Sequence, residues 1–201
     1  MRILLLSIII ALLFPQPIFA DEAATVKKLA EQKINAVIDH IRDKSLDKKT
    51  RNEKIIATIA PMFDFSQMAK LSMGKKNWGL MNPAQRKEFN ELFVIRLQES
   101  YLQKLDLYTD EDVAVDQARQ VKKRIHVRSF LVSKDDKTEM IYKFYKKKNQ
   151  GWKVYDVEIL GVSIVQTYRS QFAGILKNQS IEDLLKKLRQ DGGFTVPAGN
   201  Y

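Results

Sequence analysis

From Ala24 to Asp43 the apolar residues Val26, Leu29, Ala30, Ile34, Val37, Ile38 and Ile41 recur three and four apart, with lysines and acids opposite. That spacing predicts an amphipathic helix. Leu46 to Asn52 reads as a charged connector, and Glu53 to Ala60 as a second helix carrying Ile55, Ile56 and Ile59, which Pro61 ends. Asp64 with Gln67 has the form of a capping box, and Gly74 that of the residue just past the end of a short helix. Asn82-Pro83-Ala84-Gln85 then spells N-cap, first-turn proline and box glutamine. The long helix that follows, to about Leu107, puts Phe89, Leu92, Phe93, Leu97, Tyr101, Leu105 and Tyr108 near one face. We expect it to be the main cover of a sheet.

From Val113 the period shortens to that of strands. Val113 to Val115, Lys122 to Ser133, Thr138 to Lys147 and Trp152 to Leu160 are four candidates, with Asp135-Asp136-Lys137 and Lys148 to Gly151 as turns. In the second strand Ile125 and Val127 share one parity and Phe130 and Val132 the other, which suggests a bulge or burial on both sides. The third carries Met140, Tyr142 and Phe144 on one face, yet Ile141 and Tyr145 on the other. Strict alternation in the fourth places Val154, Asp156 and Glu158 together, opposite Tyr155, Val157 and Ile159. At Gly161 the period changes again. Ser163 is a candidate N-cap for a helix bearing Ile164, Val165, Tyr168, Phe172, Ile175 and Leu176. Ser180 caps a last helix with Ile181, Leu184, Leu185 and Leu188, ended by Asp191-Gly192-Gly193. Helices, then an antiparallel meander, then helices make an α+β fold: a curved sheet of about four strands with helices on one face. The strand-to-helix corner at Gly161 could close one end of an apolar compartment; solid packing is the alternative.

Composition narrows the setting. Arg2, the apolar run Ile3 to Phe14, and Pro15 and Pro17 before Ile18-Phe19-Ala20 have the form of a cleavable export signal, residues 1–20. The run of about 12 residues falls short of the roughly 20 that a spanning helix needs. Residues 21–190 then form one domain, and 191–201 a tail expected to be flexible. The chain has no cysteine, so disulfides and thiol chemistry are excluded, and a bacterial periplasm suits it. A net charge of +10 favours anionic partners. Lys75-Lys76, Lys122-Lys123-Arg124 and Lys146-Lys147-Lys148 could gather into a positive rim or simply be solvated.

Catalytic sets are missing from the pattern. His40 and His126 have no metal-ligand spacing, and there is no phosphate-binding glycine loop, no G-x-S-x-G and no H-E-x-x-H. Neither an enzyme nor a cofactor or metal site is expected. Asp156, on a largely apolar strand, needs a partner such as Lys143 or Arg169 if it is buried. Arg169 is open to either that pairing or a phosphate. Aromatics fall on apolar faces and are not interleaved with the basic residues, which argues against nucleic acid.

Five blocks occur in order: Phe63-Asp64-Phe65-x-x-Met68-Ala69; Gly74-x-x-x-Trp78; Pro83-x-Gln85-Arg86-x-x-Phe89; Gly151 to Val157; and Gly161-Val162-Ser163 with Tyr168-Arg169-Ser170-Gln171-Phe172. Together they resemble the MlaC family, the toluene-tolerance auxiliary proteins. The resemblance implies an NTF2-like, cystatin-like fold enclosing an apolar cavity. It also implies a periplasmic phospholipid carrier between an inner-membrane ABC transporter complex and an outer-membrane lipoprotein–porin complex, maintaining outer-membrane lipid asymmetry. The alternative is an adaptor domain with a solid core and no cargo. On the carrier reading the cavity candidates are Trp78, Phe89, Phe93, Leu97, Tyr101, Val127, Met140, Tyr142, Phe144, Val154, Ile164, Val165 and Tyr168, each equally open to ordinary core packing. Arg169 and Asp156 are a headgroup contact or a structural pair. Prying Phe89 and Phe93 from Met140, Tyr142 and Phe144 would open the slot.

Overall fold

The computed structural model describes residues 18–105, 112–132 and 137–190. The expected signal sequence before Ile18, the end of the long helix past Leu105, Asp135-Asp136 and the C-terminal tail lie outside the described residues. Helix α1 (Ile18–Arg42) starts ahead of its apolar stripe, so the expected cleavage point after Ala20 falls within it. Helix α2 (Lys48–Ile59) claims most of the stretch read as a connector. Asp47 accepts from the Thr50 amide at 3.0 Å and from the Thr50 hydroxyl at 2.7 Å. A cap and the fair helix propensity of lysine and arginine suffice where no apolar stripe marks the turn. Pro61 sits in a short 3₁₀ turn (Ala60–Met62).

Helix α3 (Phe65–Leu80) is broken at Gly74, whose φ of 74° is the left-handed conformation expected there. The chain then re-enters a helix instead of ending. Helix α4 (Pro83–Leu105) opens on the expected reciprocal box: the Gln85 amide donates to Asn82 Oδ1 at 2.9 Å, and the Asn82 amide to Gln85 Oε1 at 3.1 Å.

Strands β1 (Asp112–Val121), β2 (Arg124–Val132), β3 (Lys137–Lys147), β4 (Gly151–Ile159) and β5 (Val162–Ser163) form one antiparallel meander in sequence order. The fifth strand is two residues long and follows a tight turn in which Leu160 and Gly161 both have positive φ. β1 is far longer than its apolar core of Val113 and Val115 suggested. Asp116 and Gln117 together oppose Arg128, a bulge that hides the alternation, and the Arg128 guanidinium binds the Asp116 carboxylate. β2 itself is regular: Ile125 and Val127 are fully buried, while Phe130 lies on the other face beneath Arg128 and Lys137.

The bulge that matters most is in β4. Lys143 pairs with Asp156 but Phe144 pairs with Val154, leaving Tyr155 as the extra residue. Val154 and Val157 therefore face the same side, and Tyr155 and Asp156 the other. This corrects the strict alternation expected for β4, because one inserted residue inverts every side chain beyond it.

Helices α1, α3 and α5 (Ile164–Ile175) pack on the inner face of the sheet, with α4 and α6 (Ile181–Arg189) as an outer layer. The broadest helix-on-sheet contact is made by α1 on β1 and β2, and not by α4. Phe89 and Phe93 of α4 turn to Trp78, Tyr168 and Phe172, with ring centroids 5.2–6.5 Å apart. Buried Arg96 joins the two outer helices by donating Nε–H to the Leu188 carbonyl at 2.9 Å. Among the described residues no helix is long and apolar enough to cross a membrane.

Candidate functional site: an apolar cavity between α1, α2 and the sheet

A cavity of about 260 Å³ lies between the sheet and the helices, at the end where β2 turns into β3. Its roof is isoleucine-rich: Ile34, Val37, Ile38 and Ile41 from α1, and Ile55, Ile56 and Ile59 from α2. Met62, Phe63, Phe65 and Met68 close its inner end, while Leu97, Gln98, Tyr101 and Leu102 of α4 form one wall. The sheet supplies Val113, Leu131, Thr138, Met140, Tyr142, Val157 and Ile159, and the start of α5 supplies Ile164. Val37, Ile38, Ile41, Ile56 and Ile59 are only half-buried. Arg42, at the C-terminal end of α1, borders the cavity and reaches Asp112 Oδ1 at 2.6 Å.

Of the residues expected to surround such a space, Leu97, Tyr101, Met140, Tyr142 and Ile164 line it. Phe89, Phe93, Val127, Phe144, Val154, Val165 and Tyr168 lie behind it in a close-packed core, each at most 3% exposed. Trp78 packs at the edge of that core under the Arg86 guanidinium. The α1 and α2 isoleucines were not among the expected cavity residues. Their signal was present all the same: two neighbouring helices carry more large aliphatics than one buried stripe can hide.

Asp156 and Arg169 are not partners. Asp156 is 5% exposed. It accepts from Lys143 Nζ at 3.2 Å, Ser163 Oγ at 2.7 Å and the Val165 amide at 3.1 Å. It therefore ties β3 and β4 to the first turn of α5, where a carboxylate complements the exposed amides of a helix start. Lys143 also binds Glu158. Burial disfavours the Lys143 cation, but the two carboxylates outweigh it and raise its pKa. The exposed Arg169 side chain lies over Gly74, its Nε 3.2 Å from where a Cβ would stand.

A second polar knot fixes the inner end of the cavity. Asp64 caps α3 and takes hydrogen bonds from the Gln67 amide at 3.1 Å and from the Tyr145 hydroxyl, with Lys147 Nζ at 2.8 Å. Burial works against the Asp64 anion, yet these donors outweigh it and hold its carboxyl below the ordinary value. The Asp64 amide donates to the Val154 carbonyl at 2.8 Å, fastening the chain between Met62 and Phe65 to β4. Of the basic clusters, Lys122 to Arg124 and Lys146 to Lys148 sit at the same end of the sheet, opposite the end where β2 leads to β3. Lys146 and Lys147 there already bind Glu22 and Asp64. Among the described residues no three metal-type ligands cluster.

The sequence profile described as MlaC protein matches residues 31–190. A curated relative, the intermembrane phospholipid transport system binding protein MlaC of Haemophilus influenzae, is 26% identical over 117 residues. That stretch is 56% of this chain and 55% of the relative, so the match spans about half of each. The fold is similar to that of a phospholipid-binding protein from Ralstonia solanacearum solved in complex with a phospholipid. That likeness has a TM-score of 0.71 at 24% identity, over 81% of this chain and 94% of the other. With the profile spanning most of the chain and the meander-and-helix fold in place, the protein belongs to the MlaC family.

Proposed function

We propose that the protein is a periplasmic phospholipid carrier, exported by residues 1–20, which holds acyl chain in the cavity under α1 and α2. It collects or delivers lipid at an inner-membrane ABC transporter complex and exchanges it with an outer-membrane lipoprotein–porin complex, maintaining outer-membrane asymmetry. The observation that carries this reading is the cavity, an almost wholly hydrocarbon-lined space between the sheet and the helices. The Haemophilus relative is named for intermembrane phospholipid transport, and the Ralstonia protein holds a phospholipid, which supports the same cargo here. Two tails of roughly 30 CH₂ groups would cost about 24 kcal/mol to expose to water, so an aqueous gap demands a carrier.

The space of about 260 Å³ is smaller than the ~300–1,000 Å³ of ordinary ligand sites. It must widen to take a full chain. Helix α2 is the natural moving part, because its broad contacts are confined to α1 and the 3₁₀ turn. Met62, Met68 and Met140 supply side chains that re-pack easily around a flexible tail.

The test is organic extraction of the purified protein, with thin-layer chromatography and mass spectrometry of the extract. Phospholipid is expected at near-stoichiometric load. Met140→Asp, a charge on the cavity wall, is expected to remove it, and Val121→Asp, on an exposed strand end, to leave it. Val127→Asp is the poorer probe, since Val127 is fully buried in the solid core. An undiminished lipid load in a folded Met140→Asp protein would show that the cargo lies elsewhere.

A further inference from the structure

The cavity wall carries one phenol, Tyr142, whose proton has only a weak acceptor in the protein. The Tyr142 hydroxyl leans back along β3 and donates to Met140 Sδ at 3.9 Å, a weak thioether acceptor. Behind the wall, on the neighbouring strand, the Ser129 hydroxyl is fully buried, lies within hydrogen-bonding reach of the phenol and has no other partner. The two are neighbours across the β2–β3 ladder, where Val127 pairs with Tyr142 and Ser129 with Met140. Burial pushes the Tyr142 phenol up to about 12, so it is a neutral O–H donor throughout the physiological range.

A phenol is an odd choice for the wall of a hydrocarbon container, where a phenylalanine would fill the same volume without a polar group whose proton meets only a thioether. An oxygen brought into the cavity is a far better acceptor for that proton than the sulfur. Met140 lies two residues along β3 from Thr138, among the outermost sheet residues of the lining, a distance of about 7 Å. The Tyr142 hydroxyl, bent back toward Met140, thus falls partway along this row, and Val157, Met68 and Leu97 supply hydrocarbon elsewhere in the lining. In a diacyl lipid that enters tails first, the oxygens next to the hydrocarbon are those of the acyl esters, and of these the carbonyl is the stronger acceptor.

We propose that Tyr142 is a recognition residue for an acyl-ester carbonyl: its O–H donates to the carbonyl oxygen, and Ser129, donating in turn to the phenol oxygen, positions it. This rests on the carrier reading, and it adds that the lipid is drawn in past its tails to the ester level. The cavity then distinguishes ester-linked from ether-linked lipid, which apolar walls alone cannot do.

The experiment loads the full-length mature protein from vesicles of equimolar dipalmitoyl phosphatidylglycerol and its dihexadecyl ether analogue, and measures bound lipid by mass spectrometry. The native protein is expected to enrich the ester lipid about five- to tenfold, the worth of one hydrogen bond in such a setting. Tyr142→Phe is expected to bring that ratio to about 1 while total load is kept, and Ser129→Ala to lower it partway. With carbonyl-labelled lipid, the infrared ester band is expected to move to higher frequency in Tyr142→Phe as the hydrogen bond is lost. Equal uptake of the two lipids by the native protein overturns the proposal and leaves the carrier reading intact. Ester enrichment that survives Tyr142→Phe overturns it too, placing the carbonyl contact elsewhere. Uptake of neither lipid overturns the carrier reading itself, and the hydroxyl assignment with it.

Discussion

Replacing Asp156 by alanine tests the joint on which the sheet and α5 meet. The carboxylate is 5% exposed and serves three donors on three elements: Lys143 at 3.2 Å, Ser163 Oγ at 2.7 Å and the Val165 amide at 3.1 Å. Removing one member of a buried ion pair ordinarily costs about 3–5 kcal/mol, because the other charge is stranded. Here Lys143 keeps Glu158, which lowers that part to about 1–2 kcal/mol by the same reasoning. The Val165 amide is an orphan of the first turn of α5 and becomes an unsatisfied buried donor, at about 1–3 kcal/mol. Ser163 Oγ still caps the Gln166 amide at 3.1 Å, so that bond survives. We expect Asp156→Ala to lose about 3 kcal/mol in all, and Asp156→Asn about half as much, since the amide oxygen keeps the helix contact. Urea unfolding followed by circular dichroism reads this as a lower midpoint at unchanged slope. Glu158→Gln, on the more exposed arm of the same lysine, should cost about 1 kcal/mol or less. A loss below 1 kcal/mol in Asp156→Ala would refute the idea that this carboxylate holds the corner together.

Gly74→Ala should destabilise by about 1–2 kcal/mol in thermal or urea unfolding, because its φ of 74° strains any side chain. Combining it with Arg169→Ala should recover only the small steric part, since Arg169 is exposed and can move aside. The His126 imidazole has a pKa held below its ordinary 6.5 by burial and by Lys143 and Arg124, which outweigh Glu158 and Asp156. Its share of stability is therefore intact above pH 6.5 and is lost as the pH falls through that value toward the lower folded one. His126→Gln should flatten the stability–pH profile between about pH 7 and 5, and an unchanged slope there would remove His126 from the account. The Asp64 carboxyl also lies below its ordinary 3.8, so its contribution is full above that value and declines in stronger acid. Asp64→Asn should lower stability at pH 7 while making the acid limb of unfolding shallower, which acid titration by circular dichroism checks directly.

The amphipathic stripe from Val26 to Ile41, the caps at Asp64, Asn82, Ser163 and Ser180, and the meander of strands were legible in the sequence. Each is a local consequence of side-chain period or of a hydrogen bond spanning three residues. The family blocks were legible for the same reason, since they lie where backbone geometry demands particular residues, as at Gly74 and Gly161. The faces of β4 were not. A single extra residue at Tyr155 reverses the alternation, and it is set by where Lys143 and Phe144 fall on the next strand. Which apolar residues surround a void was equally out of reach, because period says only that a side chain is buried. Whether it meets another side chain or empty space depends on how far apart two elements are held. The knot of Asp64, Tyr145 and Lys147 and the clasp of Asp156 set that separation, joining residues as much as 83 positions apart in the chain. Phe89 and Phe93 ended in solid core and Ile56 and Ile59 beside the cavity because distance in space, and not hydrophobicity, decided between them.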